Sequence, residues 1–257
     1  MAGTKLAQEY NAQASDYEAF TITTPIGRLE TELYFKALDN PTGHTILDLG
    51  GGTGLRARQA LERGAKSVDV VDFSAEMIRI GKKEAASDGL SDRIRWHEAD
   101  VSKPLGHLGL ETFYDVVLAN WVFDHADSIE VLERMLGNAT SYLKPGGRLI
   151  CVHIENLRSP LLSVNKYGVS LSNLEETPVG LKYWVTLYGT DPPVEFSGSS
   201  LEVLYGESLE IYEKFGLENA QRVPLEDTEL VMNDMEFWKE CVEQPILRFV
   251  TAQKRIE

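Results

Sequence analysis

Cysteine is scarce in this chain of 257 residues: only Cys151 and Cys241 occur, and neither belongs to a C-x-x-C pair. That scarcity argues against a disulfide framework and against a cysteine-rich metal site. Long apolar runs are also missing, because no stretch approaches the roughly 20 residues of a membrane helix. The first residues hold no apolar signal-peptide core. We therefore expect a cytoplasmic protein from a reducing compartment, with no membrane partner.

Positive charge is the next shortage. Lysine and arginine number 25 against 40 aspartates and glutamates, which gives a net charge of −15. Proteins that bind nucleic acid usually carry a basic surface for the phosphates, and the average field of this chain repels them. We therefore expect no nucleic-acid partner, although a local basic cleft is compatible with the composition. Hydrophobic residues make up 43%, which is enough for a packed core.

Segments of strand and helix character alternate through the middle of the chain. We predict helices over residues 53–63, from Ser74 to about residue 86, and from Asp127 to about residue 143, where Glu130 resembles the second half of a capping box. Such alternation is typical of βαβ units. It predicts an α/β fold with a doubly wound, mostly parallel sheet. The first five predicted strands cover residues 45–49, 67–72, 93–97, 114–119 and 148–154.

The alternation stops after residue 154. The following residues are rich in serine, glycine, proline and aromatics without a clean period, which indicates a lid over a substrate. A helix over 206–215 and strands over 219–223 and 246–253 complete a predicted sheet of seven strands. We predict one domain over residues 1–257, divided into an N-terminal cover (1–40), a cofactor-binding core (45–154), the lid (155–205), and a C-terminal helix with the last strands (206–257).

The sharpest motif is I-L-D-L-G-G-G-T-G at residues 46–54, where a predicted strand enters a glycine turn. Gly50, Gly52 and Gly54 have no Cβ atom, so the backbone can turn tightly and approach a ligand. A doubly wound sheet binds nucleotides at such an edge. Asp48 adds a carboxylate that repels a pyrophosphate and attracts an ammonium group. This charge favours S-adenosylmethionine, while the G-x-G-x-x-A pattern at 52–57 keeps NAD as an alternative.

Positions after the next two strands fit the rest of such a nucleoside. Asp72 ends the second predicted strand, where a carboxylate accepts hydrogen bonds from both ribose hydroxyls. Phe73 and Met77 fit a sandwich around adenine, although core packing explains Met77 nearly as well. Asp100 follows the third strand and fits the adenine amino group, with the Val101 amide facing a ring nitrogen. A solvated loop aspartate is the alternative for Asp100.

These residues resemble the class I S-adenosylmethionine-dependent methyltransferases over residues 45–154. The resemblance rests on the motif at 46–54, on Asp72 and Asp100, and on L-K-P-G-G-R-L at 143–149. It implies a class I fold and S-adenosylmethionine as the cofactor.

The same resemblance suggests further contacts to the cofactor. In that family, backbone at the positions of Asn120 and Trp121 contacts the methionine part. Small-molecule members often begin with a tyrosine-containing segment that folds over the cofactor. Tyr10 and Tyr17 fit such a cover, and their spacing of seven residues fits an apolar helix stripe equally well.

The second half is similar to the bacterial N-methyltransferases of toxoflavin biosynthesis, through K-Y-G-V at 166–169, T-D-P-P at 190–193 and P-L-E-D at 224–227. Those enzymes methylate a flat heterocycle, and the similarity implies a related enzyme of specialised metabolism with a substrate of its own. Tyr167 and Tyr188 of the lid are then candidates for a wall around a planar acceptor, with a satellite core as the alternative.

The acceptor side is expected after the fourth strand. Trp121, Phe123 and His125 follow that strand, and core packing is the alternative for the two aromatics. His125 and His153 are the candidates for a general base. Because the sulfonium already activates the methyl group, a base is optional, and the chemistry requires no metal.

We therefore predict methyl transfer to a nitrogen or oxygen of a small planar molecule. Three alternatives stay open at this point. The chain is a methyltransferase-fold protein that binds the cofactor without transferring methyl, an NAD-dependent enzyme, or a methyltransferase of macromolecules. The charge of −15 opposes a nucleic-acid acceptor.

Overall fold

The computed structural model of this chain describes residues 17–205 and 208–256, and their strands form two sheets. The larger sheet contains β1 (Thr45–Leu49), β2 (Ser67–Asp72), β3 (Ile94–Glu98), β4 (Tyr114–Asn120), β5 (Leu143–Ile154), β9 (Leu217–Arg222) and β10 (Leu247–Lys254). The smaller sheet contains β6 (Val169–Thr177), β7 (Gly180–Leu187) and β8 (Val194–Leu201).

The larger sheet is seven-stranded, in the order β3-β2-β1-β4-β5-β10-β9. Strands β1 to β5 pair in parallel, and β10 runs antiparallel between β5 and β9. The strand order reverses at β1 and β4, so a crevice opens at their carboxyl ends, where ligands of such sheets bind. The predicted doubly wound, mostly parallel seven-stranded sheet is confirmed.

Helices surround this sheet, and none of the described ones is both long and apolar enough to cross a membrane. The 3₁₀ turns cover Ser91–Arg93, Phe123–His125 and Pro160–Ser163. The α-helices are α1 (Tyr17–Thr23), α2 (Pro25–Leu38), α3 (Leu55–Glu62), α4 (Ala75–Ser87), α5 (Ile129–Ser141), α6 (Glu202–Tyr205), α7 (Glu210–Glu213), α8 (Glu229–Asn233) and α9 (Met235–Glu243).

Two hydrophobic cores lie on opposite faces of the large sheet because successive strand residues point to opposite sides. In β4, Val116 and Leu118 pack into one core, whereas Val117 and Ala119 pack into the other. Helices α2, α3 and α9 bury their apolar residues in the first core, and α5 buries its own in the second. Both faces of the central strands are therefore buried, which explains why the sequences of these strands are nearly continuous apolar runs.

Helix capping agrees with the sequence in one place and differs in another. The Ser74 hydroxyl accepts a hydrogen bond from the Met77 amide and starts α4, as predicted. The predicted start at Asp127 is wrong by one residue. Ser128 is the N-cap of α5, its hydroxyl accepts from the Val131 amide, and Glu130 lies inside the first turn. With Ser128 as the N-cap, the third helical position is Val131, so Glu130 does not occupy the position that a capping box requires.

The segment after β5 has more order than its composition suggests. It forms the antiparallel sheet β6-β7-β8, in which β7 is central. Leu171, Tyr183, Val185 and Phe196 on one face of this sheet join the first core of the large sheet. Of the predicted helix over 206–215, the described residues contain only α7 (Glu210–Glu213), and α6 (Glu202–Tyr205) precedes the predicted range. Residues 206–207 lie outside the described residues.

Candidate active site

The glycine turn follows β1 directly and connects it to α3. Gly50, Gly52 and Gly54 have φ values of 68°, 56° and 70°, a region that only glycine adopts without strain. A Cβ atom on Gly51 would lie 2.7 Å from Cγ of Asp48. The turn therefore brings bare backbone to the carboxyl end of the sheet, as the sequence predicted from its glycines.

Gly54 meets a second constraint from the side chain of Trp96. A Cβ atom there would lie 2.5 Å from Cη2 of Trp96, whereas Gly89, with φ of 71°, has open space around it. Gly54→Ala and Gly89→Ala both incur the left-handed backbone penalty, and only the first also collides with a ring. We expect Gly54→Ala to lower the free energy of unfolding by about 1–3 kcal/mol more than Gly89→Ala. Urea denaturation measures both, and equal losses would contradict the role of Trp96.

Two buried carboxylates lie beneath the turn. Asp72 accepts hydrogen bonds from the amides of Gly52 and Ser74, each at 2.8 Å. Oδ2 of Asp48 is buried and has no hydrogen-bond partner among the described residues. Burial raises the pKa of Asp48 to about 7, with Asp72 adding to the rise and Arg56 opposing it. Burial also raises the pKa of Asp72 to about 6, against the amide hydrogen bonds that favour its charge. A cationic ligand beside them would stabilise the ionised form of both carboxyl groups.

The carboxylates open into a cleft, which we call the glycine-turn cleft. Its wall includes Phe73, Met77, Asn120 and Trp121, as the sequence predicted. Both polar side-chain atoms of Asn120 are buried without a hydrogen-bond partner among the described residues. Buried polar atoms in native proteins are normally satisfied, so they mark places where a ligand completes the site. Glu18, Phe20, Thr21, Glu30, Arg56, Val122 and His125 also contribute to the wall.

The donor set of the glycine-turn cleft fits S-adenosylmethionine. Asp48 is a carboxylate beside bare backbone, and Asp72 ends the second strand, where a ribose is held in such sheets. Arg56 is a cation that suits the carboxylate in the methionine part of S-adenosylmethionine. Above Gly52 the space is open, since the nearest atom to a Cβ there is Sδ of Met77 at 3.9 Å. The orphaned oxygen of Asp48 suits an ammonium group and opposes a pyrophosphate.

Asp100 and Val101 follow β3 closely in the chain, but they do not belong to the described wall of the glycine-turn cleft. Oδ1 of Asp100 accepts hydrogen bonds from the amide and hydroxyl of Ser102. Val101 is buried in the second core, and its carbonyl accepts a hydrogen bond from Asn138. Their contact with adenine therefore stays a prediction.

A second hollow adjoins the first, and we call it the apolar cavity. Trp121 and His125 line it, as predicted for the acceptor side, and Glu30 and Asp124 supply its acidic groups. The smaller sheet covers it with Leu171, Tyr183, Val185 and Phe196. Phe20, Ile26, Ile154, Leu162, Val169, Leu187, Gly198, Ile246 and Leu247 complete the wall.

Trp121 stands between the two hollows and lines both. Its φ of 61° is unusual for a bulky residue and costs free energy. Two hydrogen bonds hold it there: the Trp121 amide donates to the Val152 carbonyl at 3.1 Å, and Nε1 donates to Glu30 at 3.1 Å. Strain of this kind at the end of β4 is typical of a functional position.

Four predicted substrate or base residues lie outside the described wall of the apolar cavity, and their roles stay predictions. His153 is fully buried on the face of β5 opposite Ile154, because neighbours in a strand alternate. Phe123 stacks on His153, with ring centroids 5.9 Å apart, and lies in the second core. Tyr167 stacks on Trp238 in the first core, and Tyr188 bonds Ser170, so neither belongs to the described cavity wall.

The structure also reveals site residues that the sequence analysis missed. Glu30 projects from α2 into both hollows, and Phe20 reaches both from α1. The pair Thr24-Pro25 was a readable signal for the start of α2, because Thr24 caps the helix and proline suits its first position. Nothing in the sequence indicated which face of α2 would meet β4.

The N-terminal cover is described only in part. Tyr10 lies outside the described residues, and Tyr17 begins α1 without a described side chain. Glu18 pairs with Arg58 at 2.8 Å and bonds Thr53, so α1 is tied to the helix behind the glycine turn. A covering role for the two tyrosines therefore stays a prediction.

Comparison with known proteins agrees with this geometry. Residues 46–147 match the family model of a methyltransferase domain. The ubiquinone/menaquinone biosynthesis C-methyltransferase UbiE of Bartonella bacilliformis is 31% identical over 124 residues, which cover 47% of this chain and 45% of the relative. The chain thus matches about half the length of that curated relative.

Solved structures extend the likeness to nearly the whole chain. The CcbJ methyltransferase from Streptomyces caelestis has a TM-score of 0.61 at 16% identity, over 96% of both chains. The 1,6-didemethyltoxoflavin-N1-methyltransferase of Burkholderia thailandensis has a TM-score of 0.55 at 18% identity, over 99% of this chain and 89% of that one. Identities this low establish the fold alone. Residues 46–147 are thus similar to a methyltransferase domain, and the chain has the class I fold seen in S-adenosylmethionine-dependent methyltransferases.

Proposed function

We propose that this chain transfers the methyl group of S-adenosylmethionine to a nitrogen or oxygen of a small, planar acceptor. One observation carries the proposal: the glycine-turn cleft and the apolar cavity share Glu30, Trp121 and His125. A donor in the first hollow and an acceptor in the second would meet at these side chains. Holding two reactants in one geometry supplies a large part of such a rate enhancement.

Different residues of the glycine-turn cleft would bind different parts of the cofactor. Asp72 would accept the ribose hydroxyls, and Phe73 and Met77 would enclose the adenine. Asp48 and Asn120 would meet the ammonium group. When bound, S-adenosylmethionine supplies a methyl group on a positively charged sulfur, which needs no further activation.

The residues of the apolar cavity orient the acceptor and exclude water. Trp121 offers a rigid flat surface beside the acceptor, because Glu30 and the Val152 carbonyl fix it. His125 is the base candidate that remains at the junction of the two hollows, where it can accept a proton from the acceptor. An apolar wall prevents water from competing with the acceptor.

Transfer to carbon is the second candidate, because the UbiE relative is named a C-methyltransferase. The two candidates differ in what the cavity must do. A carbon nucleophile needs its proton removed, whereas an amine nitrogen attacks as it stands. Dependence of turnover on His125 therefore favours carbon or oxygen over an amine nitrogen.

Calorimetric titration with S-adenosylmethionine, followed by product analysis, tests the proposal. We expect binding in the micromolar range or tighter, no comparable binding of NAD, and S-adenosylhomocysteine formation only when an acceptor from a panel of hydroxylated and aminated heteroaromatics is present. A ¹³C-labelled methyl group identifies the attacked atom by its chemical shift. Binding without product formation across the panel would favour the reading in which the fold binds the cofactor without methyl transfer. Tight NAD binding in place of S-adenosylmethionine would overturn both.

A further inference from the structure

The polar end of the apolar cavity contains two ion pairs. Glu30 pairs with Arg56, with 2.7 Å between Oε1 and Nη2, and both side chains are more than nine-tenths buried. Asp124 pairs with His153, with 3.1 Å between Oδ2 and Nδ1, and His153 is fully buried. Burial by itself lowers the pKa of His153, but Cys151 and Asp124 outweigh it and raise the pKa to about 9. The raised pKa favours the cationic imidazole at neutral pH.

Both pairs have the same orientation relative to the cavity. Glu30 and Asp124 belong to its wall. Arg56 does not belong to the described wall of this cavity and instead reaches the glycine-turn cleft. His153 points to the other face of β5, into the second core with Phe123. In each pair, the acidic residue therefore lines the apolar cavity and the basic residue does not.

The two carboxylates retain hydrogen-bonding capacity toward the cavity. Oε1 of Glu30 receives Arg56, and Oε2 receives Nε1 of Trp121. The Asp124 oxygens receive the Ser200 hydroxyl and His153. An ionised carboxylate offers about four acceptor positions, so each group can take further donors. No lysine or arginine belongs to the described wall, so an anion entering the cavity would lose its hydration without gaining a cation.

We propose that the acceptor is an apolar molecule, neutral or cationic, that points an N–H or O–H donor at Glu30 and Asp124, and that Glu30 excludes anions. This inference rests on the proposed function and narrows its substrate class. The rest of the wall is aliphatic and aromatic, which suits a flat hydrocarbon body. The donor end would lie beside Trp121, at the junction with the glycine-turn cleft, where its heteroatom is next to the transferred methyl group.

Three probes share one ring system: 2-naphthol, naphthalene and 2-naphthoate. Comparing them separates the effects of a hydrogen-bond donor, a negative charge and apolar surface on affinity. Their dissociation constants are measured by fluorescence at pH 7, with and without S-adenosylhomocysteine. We expect 2-naphthol to bind roughly tenfold more tightly than naphthalene, because a hydrogen bond to a charged acceptor contributes that much. We expect 2-naphthoate to bind more weakly than both. Equal or tighter binding of 2-naphthoate to the wild-type protein would overturn the inference without any variant.

Glu30→Gln then tests the residue. It removes the negative end of one pair and leaves Arg56 cationic, so the ratio of naphthoate to naphthol dissociation constants should fall roughly tenfold. Glu62→Gln, an exposed position on α3, removes the same charge away from the cavity and should leave the ratio unchanged. An unchanged ratio in a folded Glu30→Gln protein would refute the role of Glu30.

The two proposals fail separately in these experiments. If S-adenosylmethionine does not bind but the naphthol preference holds, the proposed methyl transfer is wrong and the cavity selectivity stands. If methyl transfer occurs and anionic probes or acceptors are preferred, the selectivity is wrong and the methyl transfer stands.

Discussion

Replacing Asp72 with alanine is expected to weaken the binding of S-adenosylmethionine by at least about 100-fold. Hydrogen bonds to an ionised acceptor contribute about 1.5–3 kcal/mol each, and a ribose presents two hydroxyls to this carboxylate. Asp72 ends β2 directly beneath the glycine turn, so no neighbouring side chain replaces it easily. Calorimetric titration measures the change in dissociation constant.

Asp72 also accepts the Gly52 and Ser74 amides, so its loss can disturb the turn itself. Asp72→Asn keeps one acceptor oxygen and the side-chain shape, and it provides the variant that is safer for folding. Asp92→Ala, in the exposed turn before β3, is the matched control and should bind normally. Wild-type affinity in both Asp72 variants would show that the ribose assignment is wrong.

The same carboxylates make cofactor binding depend on pH. The pKa of Asp48 is raised to about 7 and that of Asp72 to about 6, first of all by burial. A cationic ligand prefers the ionised forms, so affinity should rise as pH increases from about 5 to about 8, with protons released on binding below pH 7. In the cofactor-free protein, the two carboxyl groups also make the free energy of unfolding depend on pH. Their contribution to stability is full below about pH 4 and is lost as pH rises through 6 and 7. Titrations in buffers of different ionisation enthalpy count the released protons, and Asp48→Asn should reduce that number.

His153→Leu is expected to lower the free energy of unfolding by roughly 3–5 kcal/mol, because it leaves the buried Asp124 carboxylate without its cationic partner. The loss has a second source, since Nε2 of His153 also contacts the Tyr212 hydroxyl at 2.8 Å. Urea denaturation at pH 7 measures the difference. His107→Leu, at an exposed loop position, makes the same substitution outside the network and should change stability little.

The pH dependence separates the ion pair from simple packing. The pKa of His153 is raised from 6.5 to about 9, since Cys151 and Asp124 outweigh the opposing effect of burial. A raised pKa contributes stability that is full below pH 6.5 and is lost as pH rises through 9. The difference between wild type and His153→Leu should therefore shrink as pH rises from 6.5 to about 9 and level off above that. A difference that stays constant from pH 6 to pH 10 would mean that the histidine acts through packing alone.

The central strands were readable because both of their faces are buried. Residues 45–49, 67–72 and 114–119 are nearly continuous apolar runs ending in glycine, aspartate or asparagine, and the observed strands agree to within one residue. Helix α2 was not predicted, because its pattern also fits a covering segment. The sheet β6-β7-β8 was not resolved from its sequence either, since Ser, Gly and Pro interrupt its alternation.

The amino-acid sequence by itself determined the class I sheet, the glycine turn and the positions of Asp48 and Asp72 near the ends of their strands, because these features depend on neighbours along the chain and on one local bend. Only the tertiary structure decided which side chains line the apolar cavity. It turned His153 away by strand alternation, buried Phe123 and Tyr167 in the cores, and brought Glu30 from α2 to Trp121 at the end of β4. Which face of a helix or strand meets a distant element depends on how all the layers pack together, and no local pattern encodes it.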